Sequence, residues 1–170
     1  MIKAILVSSV ILAMGWSSIT LAECPRAYPL FKIERSKNKH IVQYDICVAE
    51  NGDISDPKPV NVYWILENGK RRDLNFIQAM LAYGIDSQER LEENKYRIAV
   101  VALKDRKIVV EKSPSGYRAI VLISGEESIL EKAFVMSRER MLGLPKVLYV
   151  DLFGRNLQTD VSVKERIIPQ

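Results

Sequence analysis

His40-Ile41-Val42-Gln43-Tyr44-Asp45-Ile46-Cys47-Val48-Ala49 alternates with a period of two: Val42, Tyr44, Ile46 and Val48 fall on one face, and Gln43, Asp45 and Cys47 on the other. Successive side chains of a strand point to opposite sides of a sheet, so the pattern predicts a half-buried strand with Cys47 on its outer face. Val60, Val62, Trp64 and Leu66 repeat the scheme with Asn61 and Tyr63 opposite. Asn68-Gly69 then supplies a positive-φ pair for a tight hairpin, and Lys70 to Asp73 reads as a short return strand.

One stretch has a helical period instead. Asp73 or Asn75 can cap its start, Leu74, Ile77, Met80 and Leu81 share a face, and Gly84 stands where a left-handed C-terminal cap belongs. A helix of about nine residues does not hold itself in water, so it is expected to pack onto the strands. Strands resume at Tyr96 to Leu103, Lys107 to Glu111 and Tyr117 to Ser124, with reversals at Asp105-Arg106 and Ser113-Pro114-Ser115-Gly116. Leu130 to Ser137 suits a helix or an alternating strand; short connections on both sides favour the strand. Gly143 and Pro145 break the chain, Lys146 to Phe153 is apolar, Gly154-Arg155-Asn156 reads as a turn, and Val161 to Ile168 alternates again.

About nine strands and one short helix predict an all-β, mainly antiparallel fold, because each parallel pairing needs a crossover. Successive hairpins hide their edges by closing into a barrel or stacking as a sandwich. A single-domain β-barrel of lipocalin-like size is the favoured expectation, and a β-sandwich the other.

The N-terminus reads as an address. Lys3 gives a positive start, Ala4 to Met14 are apolar apart from Ser8 and Ser9, and Thr20-Leu21-Ala22 offers small residues before Glu23. This is the pattern of a secretory signal peptide over residues 1–22, with one domain over 23–170. Its apolar core falls short of the roughly 20 residues a membrane span needs. An uncleaved anchor is the other reading, and Leu21-Ala22-Glu23-Cys24 approaches a lipobox but for the bulky charge of Glu23. The expected location is outside the cytoplasm, in the periplasm or the medium.

The whole chain carries 25 Lys+Arg against 21 Asp+Glu. Without Lys3 the balance from Glu23 onward is 24 − 21 = +3, and the cations are interleaved with acids, as in Lys104-Asp105-Arg106-Lys107. No basic stripe alternates with aromatics, so nucleic acid is not an expected partner. Cys24 and Cys47 are the two cysteines. Export would place them where thiols oxidise, and an intramolecular disulfide is expected; a buried free Cys47 beside a mobile Cys24 is the other outcome. A separation of 23 positions is far from the close Cys-x-x-Cys pairing of redox catalysts.

Asn38-Lys39-His40-Ile41-Val42-Gln43-Tyr44-Asp45, Pro59-Val60-Asn61-Val62-Tyr63-Trp64 and Leu81-Ala82-Tyr83-Gly84 together resemble the small exported bacterial proteins grouped as domain of unknown function 4833. The resemblance extends over most of the chain after residue 22. It implies a secreted single domain and carries no chemistry with it.

No catalytic set, metal set or cofactor motif stands out. His40 is the single histidine, and Asp45, an odd number of positions along the same strand, faces the other way. No serine sits in Gly-x-Ser-x-Gly, and Glu92-Glu93 and Glu126-Glu127 fall in polar connections. Tyr44, Trp64, Tyr96, Tyr117 and Tyr149 all lie on predicted strands. Facing inward they line a cavity for an apolar or amphipathic ligand, or they simply fill the core. Lys37, Asn38 and His40 form a polar turn that can meet an anion, with Asp45 nearby on the strand.

The leading expectation is therefore an exported, non-enzymatic β domain binding a small hydrophobic or amphipathic ligand or an envelope protein. Two rivals stay open: an envelope hydrolase assembled from His40, Asp45 and nearby tyrosines, and a structural or stress-related envelope protein without a small ligand.

Overall fold

One long strand, Glu126–Arg138, holds the rest of the sheet together. The computed structural model describes residues 24–138 and 146–169. The signal-peptide reading of residues 1–22 and the break at Gly143 and Pro145 lie outside the described residues. In chain order the strands are β1 (Arg26–Arg35), β2 (Ile41–Val48), β3 (Val60–Ile65), β4 (Arg71–Asp73), β5 (Ile85–Glu92), β6 (Lys95–Val100), β7 (Lys107–Ser113), β8 (Gly116–Ile123), β9 (Glu126–Arg138), β10 (Lys146–Asn156) and β11 (Ser162–Ile167).

The sheet follows the order β4-β3-β2-β1-β9-β8-β7-β6-β5, with β10 on β9 and β11 on β10. The first part of β9 pairs with β8, placing Ile129 opposite Ile120, and its later part with β1, placing Lys132 opposite Lys32. Two arms thus leave β9, β1 to β4 and β8 to β5, and they curl around one core into a half-barrel. The all-β expectation with one short helix holds. The β1–β9 pair is parallel, so the sheet is mixed; most of the chain separates those two strands and serves as the crossover.

The core joins both arms. Ile33, Val42 and Ile46 from one meet Ile98, Ile108 and Ile123 from the other, all without solvent exposure. At the far end the arms are tied by polar contacts. Asn94, between β5 and β6, accepts from the Ile54 amide at 2.7 Å and donates to Asp53 at 2.8 Å, and the Tyr117 hydroxyl donates to the Gly52 carbonyl at 2.7 Å. Gln88 reaches the Pro57 carbonyl, and Arg90 lies 3.3 Å from Asp56.

Several local expectations are corrected. Cys47 is buried rather than on an open outer face, because Cys24 is bonded to it and the loop after β2 returns to it through Ser55 N–H to Cys47 C=O at 2.8 Å. The β3–β4 turn has positive φ at Gly69 alone, with Gly69 N–H donating to Leu66 C=O at 2.8 Å, as in a three-residue hairpin rather than a two-residue one. Gly154, Arg155 and Asn156 continue β10 instead of turning it. Gly154 is needed there for close approach, since a Cβ would stand 2.3 Å from the Ile129 carbonyl oxygen on β9. Glu126 and Glu127 belong to β9 rather than a connection.

The helical segment also differs in its orientation. One α-turn, α1 (Phe76–Gln78), runs into a π-helical stretch (Ala79–Tyr83). Asn75 caps it reciprocally with Gln78. Phe76, Ile77, Met80 and Leu81 are 77%, 63%, 52% and 62% exposed, so the apolar spacing marks a face turned outward. The inward side carries Gln78, Ala79, Ala82 and Tyr83, which dock by hydrogen bonds and small side chains. Gly84 is extended (φ −69°, ψ 172°), not left-handed; a Cβ there would stand 2.3 Å from the Ala79 carbonyl oxygen.

Candidate functional site

Under the helical segment a cluster of rings gathers around Arg35. Trp64 on β3 has its ring edge-on to Tyr83, with centroids 5.2 Å apart, and His40 approaches the same indole at 6.3 Å. The Arg35 guanidinium lies 4.4 Å over Trp64 and donates to the Asn38 side chain at 2.9 Å and to the Tyr83 hydroxyl at 3.3 Å. Arg35 has no carboxylate partner among the described residues; the indole face supplies its counter-charge. Tyr44, stacked on Phe31 at 4.4 Å, donates its hydroxyl to the Tyr83 carbonyl at 2.7 Å. Burial, then the neighbouring Tyr83, raises the Tyr44 pKa well above the ordinary phenol value. This cluster fixes the helical segment and, with it, one wall of the groove beside it.

That groove lies between the two ends of the sheet path. Its walls are Val60, Asn61 and Val62 of β3, Arg71 and Asp73 of β4, Leu74 and Ala79 beyond it, and Gly84, Ile85 and Gln88 at β5, with Cys24, Ala27 and Lys58 at its foot. The strand topology explains why a gap exists here: β4 pairs only with Tyr63 to Ile65, leaving the outer edge of Val60 to Val62 uncovered, and β5 pairs only with β6. The volume is about 780 Å³, within the range of small-molecule sites. Val60, Val62, Leu74 and Ile85 give it an apolar floor, while Lys58 and Arg71 place two cations along it against one carboxylate, Asp73. Among the described residues neither cation is ion-paired; Arg71 instead covers the Tyr63 ring at 3.8 Å.

The family model of a domain of unknown function, DUF4833, matches residues 31–166. The chain belongs to the DUF4833 family. No curated protein and no solved structure matches it. In this DUF4833 chain the three sequence blocks that carry the resemblance converge: Asn38, His40 and Tyr44 from the first, Trp64 from the second and Tyr83 from the third all meet in the Arg35 cluster.

The predicted aromatic set divides. Tyr44, Trp64 and Tyr96 are buried members of the packed core, and Tyr117 packs against it beside Tyr28, with ring centroids 5.3 Å apart. Tyr149 lies on the outer surface under Arg166, 3.7 Å from the guanidinium carbon. None of the five lines the groove. The polar set divides too. Asn38 accepts the His40 amide at 3.2 Å, shaping the turn that carries Lys37. Asp45 is buried on the other side of the sheet and accepts from Tyr63 at 2.6 Å and Gln43 at 3.0 Å. Burial first, then Asp45, pushes the Tyr63 pKa up to about 12. His40 and Asp45 do not bond to each other, and no group of three or more His, Cys, Asp or Glu suited to a metal occurs among the described residues.

A second polar centre lies on the outer face of β10 and β11. Asp151, nearly inaccessible on its side chain, receives two hydrogen bonds from Arg166 at 2.7 and 2.8 Å and an ion pair from Lys164 at 3.0 Å. The Arg166 hydrogen bonds hold the Asp151 pKa well below the usual carboxylate range. On β1, Glu34 is lowered as well: burial pushes it up, but Lys32 and Lys132 outweigh that.

Arg35, Tyr83 and Gln78 and the groove residues of β5 were not visible as site residues in the sequence. Arg35 sits in an ordinary charged run, Glu34-Arg35-Ser36-Lys37, and β5 has an edge strand's polar composition. The Trp64 and Tyr83-Gly84 blocks were the only available signals.

Proposed function

We propose that this chain is an exported, non-enzymatic binding domain whose groove between β3–β4 and β5 takes a small amphipathic molecule with an anionic head. The groove itself is the observation that carries the reading. An apolar floor suits an alkyl or ring system, and Lys58 and Arg71 suit a carboxylate or phosphate, since among the described residues neither cation is ion-paired. The Cys24–Cys47 bridge supports export and ties the foot of the groove to the core.

Native mass spectrometry of the protein purified gently from its own export route, without reducing agent, tests this. A chain from Glu23 to Gln170 less two hydrogens, carrying an adduct that leaves on denaturation, is the expected result. A bare, unoxidised or unprocessed chain overturns it. A second reading, an envelope protein as partner, rests on β5, whose outer edge is unpaired and open to an added strand; a peptide adduct in the same spectrum would favour it.

A further inference from the structure

We infer that the helical segment 76–83 is an interfacial anchor that docks the domain on the surface of an anionic phospholipid bilayer. Phe76, Ile77, Met80 and Leu81 occupy one side of the segment and are each more than half exposed. A soluble domain gains nothing by turning its one helical apolar face to water, and large exposed apolar groups held together mark a contact surface. The segment cannot turn over to bury them. Its inward side is fixed by Trp64 Nε1 donating to Gln78 Oε1 at 3.0 Å, by Tyr44 donating to the Tyr83 carbonyl at 2.7 Å, and by the reciprocal Asn75–Gln78 cap.

Charge decides which surface it meets. Lys70, Arg71 and Arg72 precede the segment, all exposed, against the single carboxylate Asp73, for a net 3 − 1 = +2 between Lys70 and Leu81. The β1–β2 turn lies at the same end, where the Lys39 amide meets Glu67 of the β3–β4 turn at 3.2 Å; the Lys39 side chain is exposed there, with Glu67 beside it. Cations beside a short row of Phe, Ile, Met and Leu match the boundary between anionic head groups and acyl chains.

Size favours a bilayer over a protein. Eight residues, three α and five π, at ~1.5 Å per residue make an apolar row ~12 Å long. Its four exposed apolar side chains are far fewer than the roughly 20–30 residues a side of a stable protein interface, whereas a bilayer needs only a few side chains inserted beside cations. The inner side of the same segment contributes Ala79 to the groove wall, with Leu74 and Gly84 flanking it, so docking would set the groove mouth at the membrane. The anchor does not depend on the groove being a ligand site.

The test is co-sedimentation of the chain from Glu23 onward, which contains the whole sheet, with vesicles of phosphatidylcholine alone and mixed with phosphatidylglycerol. The expected result is binding to the mixed vesicles, weakened at least about tenfold by Lys70→Glu with Arg72→Glu and about a hundredfold by Leu81→Asp with Ile77→Asp. All four residues are exposed, and an unchanged thermal midpoint in each variant shows that the fold is kept. Absence of binding to the mixed vesicles, equal binding to both vesicle types, or binding untouched by the Leu81→Asp pair overturns the proposal. So does a wild-type dimer by analytical ultracentrifugation that Leu81→Asp dissociates, which would assign the face to a second copy.

Discussion

Trp64 Nε1 donates to Gln78 Oε1 at 3.0 Å, joining the C-terminal end of β3 to the first turn of the helical segment. The same oxygen accepts the Asn75 amide at 3.1 Å, and Asn75 accepts the Gln78 amide at 2.8 Å. A buried indole donor, a helix cap and the orientation of an exposed apolar face therefore depend on one side chain. Gln78→Ala leaves the Trp64 N–H unpaired in a buried site and is expected to cost about 1–3 kcal/mol. Urea denaturation followed by Trp fluorescence reads this; an unchanged midpoint would mean that water or another group takes over the indole.

Gly84 separates two accounts of the helix exit. A left-handed cap tolerates Asn, whereas the extended backbone with a 2.3 Å approach of a Cβ to the Ala79 carbonyl oxygen rejects any side chain. Gly84→Asn and Gly84→Ala should therefore destabilise alike, by about 1–3 kcal/mol. Thermal denaturation of the two variants side by side is the check, and a near-neutral Gly84→Asn would contradict the geometry.

The Cys24–Cys47 bridge closes a loop with a sequence separation of 23. In the chain-entropy picture its loss costs about 3 kcal/mol. Cys24→Ser with Cys47→Ser should lower the urea midpoint accordingly, and the oxidised wild type should show no free thiol to a thiol reagent under denaturing conditions. A quantitative yield of two thiols would remove the bridge from the account.

Acid should weaken the fold through Asp151. Its pKa is depressed in the folded state by Arg166 first and by Lys164, so its contribution is fully present above the unfolded carboxylate value of ~3.9 and is lost as pH falls below it towards the folded value. Glu34 has the same sign and is weaker. The thermal midpoint should be flat from neutral pH to about pH 5 and fall steeply below pH 4. Asp151→Asn should start lower at neutral pH and lose less on acidification. Parallel pH curves for the two proteins would contradict the assignment.

What the sequence reveals about this fold tracks how each element is buried. β2 and β3 alternate because one face meets the core, and the strand reading of Leu130 to Ser137 holds inside β9. β5, Ile-Asp-Ser-Gln-Glu-Arg-Leu-Glu, has two apolar residues because it is an exposed edge, so nothing marked it as a strand. β1 alternates only from Phe31 to Ile33 after an exposed first half and a register shift. The helical spacing at Ile77, Met80 and Leu81 marks a real face, while Leu74 precedes the helix and packs against the core; periodicity does not say whether a face turns to the core or to solvent. The groove is legible least of all, because it exists where two strand edges 20 or more residues apart fail to meet.

The groove between β3–β4 and β5 is expected to hold an anionic amphiphile. Isothermal titration calorimetry of the chain from Glu23 onward with laurate, below its micelle-forming concentration, tests it most directly, with Lys58→Glu as the paired variant. Lys58 is exposed and makes no ion pair among the described residues, so its reversal should leave the fold intact. Saturable one-to-one binding is expected, weakened about tenfold by the reversal, or roughly 1.4 kcal/mol. Absence of saturable heat, or equal affinity in the two proteins, would contradict it.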